Sequence, residues 1–226
     1  MSQKVDFDAY TSNYNQLLRE STGFFSPSEA YFASYKVEEV RRRIETPVSR
    51  ILEFGCGIGR NVPFLAKAFP GAEIVGTDVS PASIEQARVE NPEQAFHVES
   101  DGLEIGRFDL VFVAGVFHHI APNERSGAMS LIARRLTPRA HLCVFEHNPY
   151  NPVTRRIVSN CPYDADAVLL KPSELSGRMR SAGLDVLAKR YCLFVPPRLG
   201  ALRSIERALT WLPLGGQYWV HARAQA

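Results

Sequence analysis

Ile51-Leu52-Glu53-Phe54-Gly55-Cys56-Gly57-Ile58-Gly59 decides the fold. A short apolar strand carries Glu53 near its end, and three glycines at alternate positions make the turn that follows. A helical pattern begins at Asn61 and continues through Val62, Phe64, Leu65 and Ala68. Glycine has no Cβ, so the backbone turns sharply there and a ligand approaches it closely. In open α/β sheets the passage from a strand through such a turn into a helix is a ligand site. The spacing argues against two nucleotide signatures. The dinucleotide pattern Gly-x-Gly-x-x-Gly has its last glycine where this chain has Arg60, and no Gly-x-x-x-x-Gly-Lys-Ser/Thr occurs.

Outward from this turn, further strands follow at regular intervals. Glu73-Ile74-Val75-Gly76-Thr77-Asp78 is an apolar run closing on a carboxylate. A carboxylate there can accept charge-assisted hydrogen bonds from both hydroxyls of a ribose. A helix-capping role competes for Asp78, but Ser80 is the better N-cap, with Pro81 at the first helical position. Gln94 to Glu99 is a third strand leading into Ser100-Asp101-Gly102. Phe108 to Gly115 is nearly continuous in apolar residues, as a central strand buried on both faces would be. His141 to Glu146 is the fifth strand after a helix over Glu124 to Leu136, and Ser173 to Ala182 is a helix ended by Gly183. Leu184 to Val195 contains the sixth strand, and Gln217 onward alternates at period two as a seventh.

Gly-x-Gly-x-Gly with an acid two residues ahead, followed by these βα units in order, resembles motif I and the core of the class I, Rossmann-like S-adenosylmethionine-dependent methyltransferases, above all their quinone-pathway and natural-product members. The resemblance implies a three-layer αβα sandwich with a seven-stranded, mostly parallel sheet whose last strand is antiparallel, plus an N-terminal helical cap. The whole chain, 1–226, reads as a single methyltransferase domain: cap 1–45, cofactor core 50–146, substrate side 147–226. The cofactor is S-adenosyl-L-methionine, leaving as S-adenosyl-L-homocysteine. The resemblance implies that Gly55, Cys56 and Gly57 meet the methionine part and that Glu53 orients the loop and the cofactor's ammonium. Asp78, with Val79, takes the ribose; Asp101, with Ser100 and Gly102, the adenine; Ala114 closes the fourth strand beside the site. A tyrosine from the aromatic-rich first 35 residues, Tyr14 or Tyr10, reaches the cofactor or packs within a helix.

The implied chemistry is an in-line displacement, in which the enzyme supplies alignment and exclusion of water. A base is needed where the nucleophile carries a proton. His118 is the first candidate, with His119 and His147, since histidine titrates in the useful range; a structural role is open for each. No acid cluster has clear metal-ligand spacing, so no metal is expected. Asn148-Pro149-Tyr150 resembles the Asn-Pro-Pro-Tyr of amino-group methyltransferases, but it follows the fifth strand and lacks one proline, so it is not read as that motif.

Composition bounds the partners. The chain of 226 residues is 45% hydrophobic and 22% charged, ordinary for a globular domain. A net charge of +2 is too small to draw nucleic acid. The four cysteines lack paired spacing, and no apolar run is long enough for a signal peptide or a membrane span. The expectations are therefore a cytoplasmic monomer or homodimer with a small-molecule acceptor and no nucleic-acid partner. The apolar and basic stretch Leu193 to Leu214 leaves a peripheral membrane contact open. Action on protein or RNA, and cofactor binding without catalysis, are the alternatives.

Overall fold

Each apolar run from 50 to 114 forms one strand of a parallel sheet in the computed structural model, which describes residues 5–10, 23, 25–26, 28–100 and 102–226. The strands are β1 (Arg50–Phe54), β2 (Glu73–Asp78), β3 (Ala95–Val98), β4 (Phe108–Ala114), β5 (Leu136–His147), β6 (Leu184–Cys192) and β7 (Gln217–Ala224). Their order is β3-β2-β1-β4-β5-β7-β6. Strands β1 to β5 pair in parallel, and β7 runs antiparallel to both of its neighbours. The order reverses between β1 and β4, and the carboxyl ends of strands at such a reversal frame a ligand crevice.

The period-two alternation of the central strands feeds two helical layers. Ile51, Leu110 and Phe112 face a core built with Val40, Leu65 and Ile84. Those residues come from α1 (Glu29–Arg41), α2 (Val62–Ala68) and α3 (Pro81–Glu90). Leu52, Val111 and Val113 face the opposite way, against Met129, Ile132, Leu175 and Met179. Here the helices are α4 (Arg125–Arg134) and α6 (Pro172–Ser181), while α5 (Pro152–Asn160) follows β5 and the single turn α7 (Arg203–Glu206) precedes β7. The result is the expected αβα sandwich. Among the described residues no helix is long and apolar enough to cross a membrane.

Two boundaries differ from the sequence reading. The helix expected to reach Leu136 ends at Arg134, and Leu136 already pairs with Phe108. The ladder then skips to Leu110–His141, so Pro138 falls in the irregular stretch, and Arg139 takes a φ of 63°. A proline is tolerated there because no ladder N–H is required of it. The sixth strand stops at Cys192 instead of running on to Val195, because Leu193 turns the chain with a φ of 61°.

Candidate active site

Three glycines hold the turn after β1 in left-handed backbone, with φ of 71° at Gly55, 52° at Gly57 and 77° at Gly59. Their surroundings differ. A Cβ at Gly55 would stand 2.4 Å from Val116 Cγ2, and one at Gly59 would stand 2.8 Å from Asn91 Nδ2. A Cβ at Gly57 would meet nothing within 4 Å. Gly55 and Gly59 are thus required by protein packing, whereas Gly57 faces open space in a cavity. The turn is fastened to β2: the N–H groups of Gly55 and Cys56 both donate to Thr77 O, at 2.7 and 2.9 Å.

Asp78 sets the other edge of this cradle. Its carboxylate accepts from the Gly57 N–H at 2.8 Å and from the Ser80 N–H at 3.0 Å. Burial raises its pKa, and those N–H groups work against the rise. Ser80 caps α3 as the sequence predicts, its hydroxyl accepting from Ser83 N–H at 3.0 Å. In turn the Ser80 hydroxyl and the Ala82 N–H donate to Asp8, which ties the turn Phe7–Tyr10 to the mouth of the crevice.

Glu53 lies buried behind the turn. One carboxyl oxygen accepts from Asn61 Nδ2 at 2.6 Å, and the other, Oε2, is buried without a hydrogen-bond partner. Burial pushes its pKa up to about 8, against the pull of Asn61 and Lys36. Thr77 Oγ1 is also buried without a partner. Unpaired buried polar atoms are costly, and beside a cavity they indicate a ligand that completes them.

The cavity measures about 550 Å³, the size of a small-molecule site. The glycine turn, Asn61, Thr77, Asp78 and Val79 line one end. Ala114 to Val116, His118 to Ile120, His147, Tyr163 and Asp164 line the other, with Phe7, Phe32 and Lys36 also in the wall.

The histidine end is rigidly built. After β4 the chain makes a 3-10 turn, Phe117–His119. Glu146, from the end of β5, accepts from the N–H groups of Val116 and Phe117 at 3.0 and 2.7 Å and from His118 Nδ1 at 2.6 Å. The buried Arg125 donates to the carbonyls of Phe117 and Ile120, both at 3.0 Å, and to Val168 O, and pairs with Glu174 at 3.1 Å. His118 is buried, which lowers its pKa, but Glu146 and Asp164 outweigh that and hold it up to about 9. Burial, and then the neighbouring His118 charge, push His147 down to about 4. His119 is lowered for the same two reasons; its Nδ1 lies 3.1 Å from Asp166, and its ring meets Phe7 and Tyr163 edge-on.

Of the residues expected at the site, Gly55, Cys56, Gly57, Asp78, Val79, Ala114, His118, His119 and His147 line the cavity. Glu53 stands behind its wall. Ser100 and Gly102 do not line it; their neighbour Glu99 does, its carboxylate holding Arg135 through two bonds of 2.7 Å. Tyr14 and Asp101 lie outside the described residues, as does the side chain of Tyr10. Lys36, Asn61, Thr77, Tyr163 and Asp164 were missed. Only Asn61 and Thr77, each beside a flagged motif, carried a local signal. Asn148 is structural: its amide donates to Pro213 O and Gly215 O at 3.0 and 2.7 Å.

A methyltransferase-domain family model matches residues 52–142. An uncharacterized methyltransferase of Synechocystis sp. is 30% identical over 111 residues, 47% of this chain and 51% of the relative. The demethylmenaquinone methyltransferase of Thermus thermophilus is 33% identical over 113 residues, 47% of this chain and 50% of the relative. The chain therefore spans about half the length of these curated relatives. Among solved structures, the magnesium protoporphyrin IX methyltransferase of Synechocystis with bound S-adenosylmethionine superposes with a TM-score of 0.63. The match is 16% identical and covers 100% of both chains, so it speaks for the fold.

Proposed function

We propose that the chain is a class I S-adenosylmethionine-dependent methyltransferase that transfers a methyl group from that cofactor to a small-molecule acceptor. The observation that carries this reading is the cradle at Gly57: open space beside a glycine, an acid from β2 fixed at its edge, and an unpaired Glu53 oxygen behind it. When bound, S-adenosylmethionine supplies an activated methyl group on a sulfonium. The residues around it bind, orient and exclude water. Asp78 and Val79 take the ribose side, the turn 55–57 the amino-acid side, and Glu53 the ammonium. Asp101 and Tyr14 keep their proposed places at the adenine and over the cofactor.

The acceptor enters at the histidine end, under Phe7 and Tyr163. His147 stays neutral there and can accept a proton, while His118, between Glu146 and Asp164, carries charge. That assignment moves the proposed base from His118 to His147. A cavity of about 550 Å³ is of small-molecule size, which supports a small molecule over a protein or an RNA. We place the whole chain in one methyltransferase unit acting in the cytoplasm as a monomer or homodimer.

The test is incubation with methyl-labelled S-adenosylmethionine and a fractionated extract of the source cell, followed by mass analysis. Label in a low-mass product, lost with the Asp78→Ala variant, supports the proposal. Label confined to protein or RNA would move the acceptor class. Cofactor binding with no labelled product would leave a binding module.

A further inference from the structure

We propose that the histidine end of the cavity is a divalent transition-metal site, with His118, His147 and Asp164 as ligands, that positions an oxygen nucleophile of the acceptor. One potential ligand atom from each of these residues lies within 4.8 Å of the other two. All three residues line the same cavity. His118 Nε2 and Asp164 Oδ1 face each other at 3.5 Å, longer than a formed N–H···O bond. A tetrahedral ion with arms of about 2.0–2.1 Å holds its ligand atoms about 3.3 Å apart. The His118–Asp164 gap already has that span, and a ligand atom of His147 lies within 4.8 Å of both.

The surroundings fit a metal ligand set. Glu146 Oε2 sits 2.6 Å from His118 Nδ1. A carboxylate there fixes the proton on Nδ1, orients the ring and leaves Nε2 to coordinate, as a carboxylate behind a metal-bound histidine does. Glu146 is itself anchored by two backbone N–H groups, at 3.0 and 2.7 Å. The His147 ring packs against His118, centroids 4.9 Å apart, and makes no hydrogen bond to any described residue. Sequence separation hid the cluster: His118 follows β4, His147 ends β5, and Asp164 lies in the 3-10 turn Pro162–Asp164 beyond α5.

Two imidazoles and one carboxylate suit Zn²⁺, Mn²⁺, Fe²⁺ or Co²⁺ better than Mg²⁺ or Ca²⁺, which take oxygen ligands. Three protein ligands leave a coordination position open to the cavity. An acceptor hydroxyl or carboxylate oxygen fills it, and the ion lowers the pKa of a bound hydroxyl. With the ion in place His147 is a ligand and no longer the base. The ion displaces any proton on His118 Nε2 to solvent, and the proton of a bound acceptor hydroxyl likewise passes to water, leaving the oxygen as the nucleophile. The inference rests on the proposed methyl transfer only for the acceptor's identity; the metal site stands or falls without it.

The experiment is titration of the full chain, freed of any purification tag and stripped with a chelator, with Co²⁺ alone near neutral pH. Protein-bound cobalt is read by visible absorption and stoichiometry, and Zn²⁺ is added afterwards to displace it. The expected result is one saturable ion per chain, displaced by Zn²⁺. Asp164→Asn and His147→Gln each weaken binding about tenfold or more while the metal-free melting temperature stays close to that of the parent. Absence of saturable binding overturns the inference, as does binding that survives both substitutions. S-adenosylhomocysteine binding is measured on the same sample, so loss of the metal site and failure of the cofactor assignment are told apart.

Discussion

Adding one methyl group at Gly57 or at Gly55 separates a ligand-facing glycine from a packing glycine. Both have positive φ, 52° and 71°, so an alanine at either costs about 1–2 kcal/mol of backbone strain. At Gly57 nothing lies within 4 Å of the new methyl group, and the stability loss ends there. For a chain of this length that lowers the melting temperature by about 2–8 °C. At Gly55 the new carbon lands 2.4 Å from Val116 Cγ2, more than an ångström inside an optimal contact of about 3.5–4.0 Å. The overpacking adds about 1–3 kcal/mol, for a total drop of about 4–20 °C. Binding sorts the two in the opposite order. The Gly57→Ala methyl group occupies space assigned to the cofactor, and a similar overpacking penalty weakens binding by about 5- to 160-fold. Thermal melts and calorimetric titration with S-adenosylhomocysteine read both quantities. A Gly57→Ala protein that melts in its expected range and binds with unchanged affinity would refute the assignment of that space to the cofactor.

Two further outcomes depend on pH. Glu53, held up to about 8 by burial, carries its proton near pH 7, and the ammonium of an arriving cofactor favours the carboxylate. Cofactor binding near pH 7 is expected to release close to one proton, measured by calorimetry in buffers of different protonation heat; Glu53→Gln is expected to abolish the release, and buffer-independent heats in the parent would contradict it. At the far side of the sheet, His221 is pushed down to about 4, by burial first and then by His141 and nearby arginines. His141 Nδ1 lies 2.9 Å from its Nε2. Between about pH 6.5 and about 4 the unfolded chain binds a proton at His221 that the folded chain refuses. Stability from this group is complete above that window and falls as pH drops through it, by on the order of 3 kcal/mol. Urea melts across the window are expected to show a shallower loss for His221→Gln than for the parent, and equal slopes would rule the group out.

The fold was legible because its central strands are apolar runs with few competing readings, and because Gly55, Gly57, Gly59, Asp78 and Ser80 act within a few residues of where they stand. What local pattern did not reveal were contacts set by the sheet order. Glu146 reads as a strand end, yet it pins the turn that carries His118, because β4 and β5 pair in parallel register from Leu110–His141 to Ala114–Phe145. Arg125, at the start of α4, is buried beneath the same turn, a placement that no local pattern marks. Asp164 sits in a short turn with no periodicity to mark it and meets the histidines only through the packing of the segment after β5. The extension of β5 across Pro138 was invisible for a related reason: proline normally ends a strand, and only the irregular register accommodates it.

The cavity's identity rests on what the Gly57 cradle and the β2 acid hold together. Calorimetric titration with S-adenosylhomocysteine, and separately with NAD, of the parent protein and of Asp78→Ala tests it most directly. One saturable site for S-adenosylhomocysteine, weakened about tenfold or more in the variant, with no saturable binding of NAD, is the predicted result. Equal affinity in parent and variant, or saturable NAD binding in its place, would contradict the account.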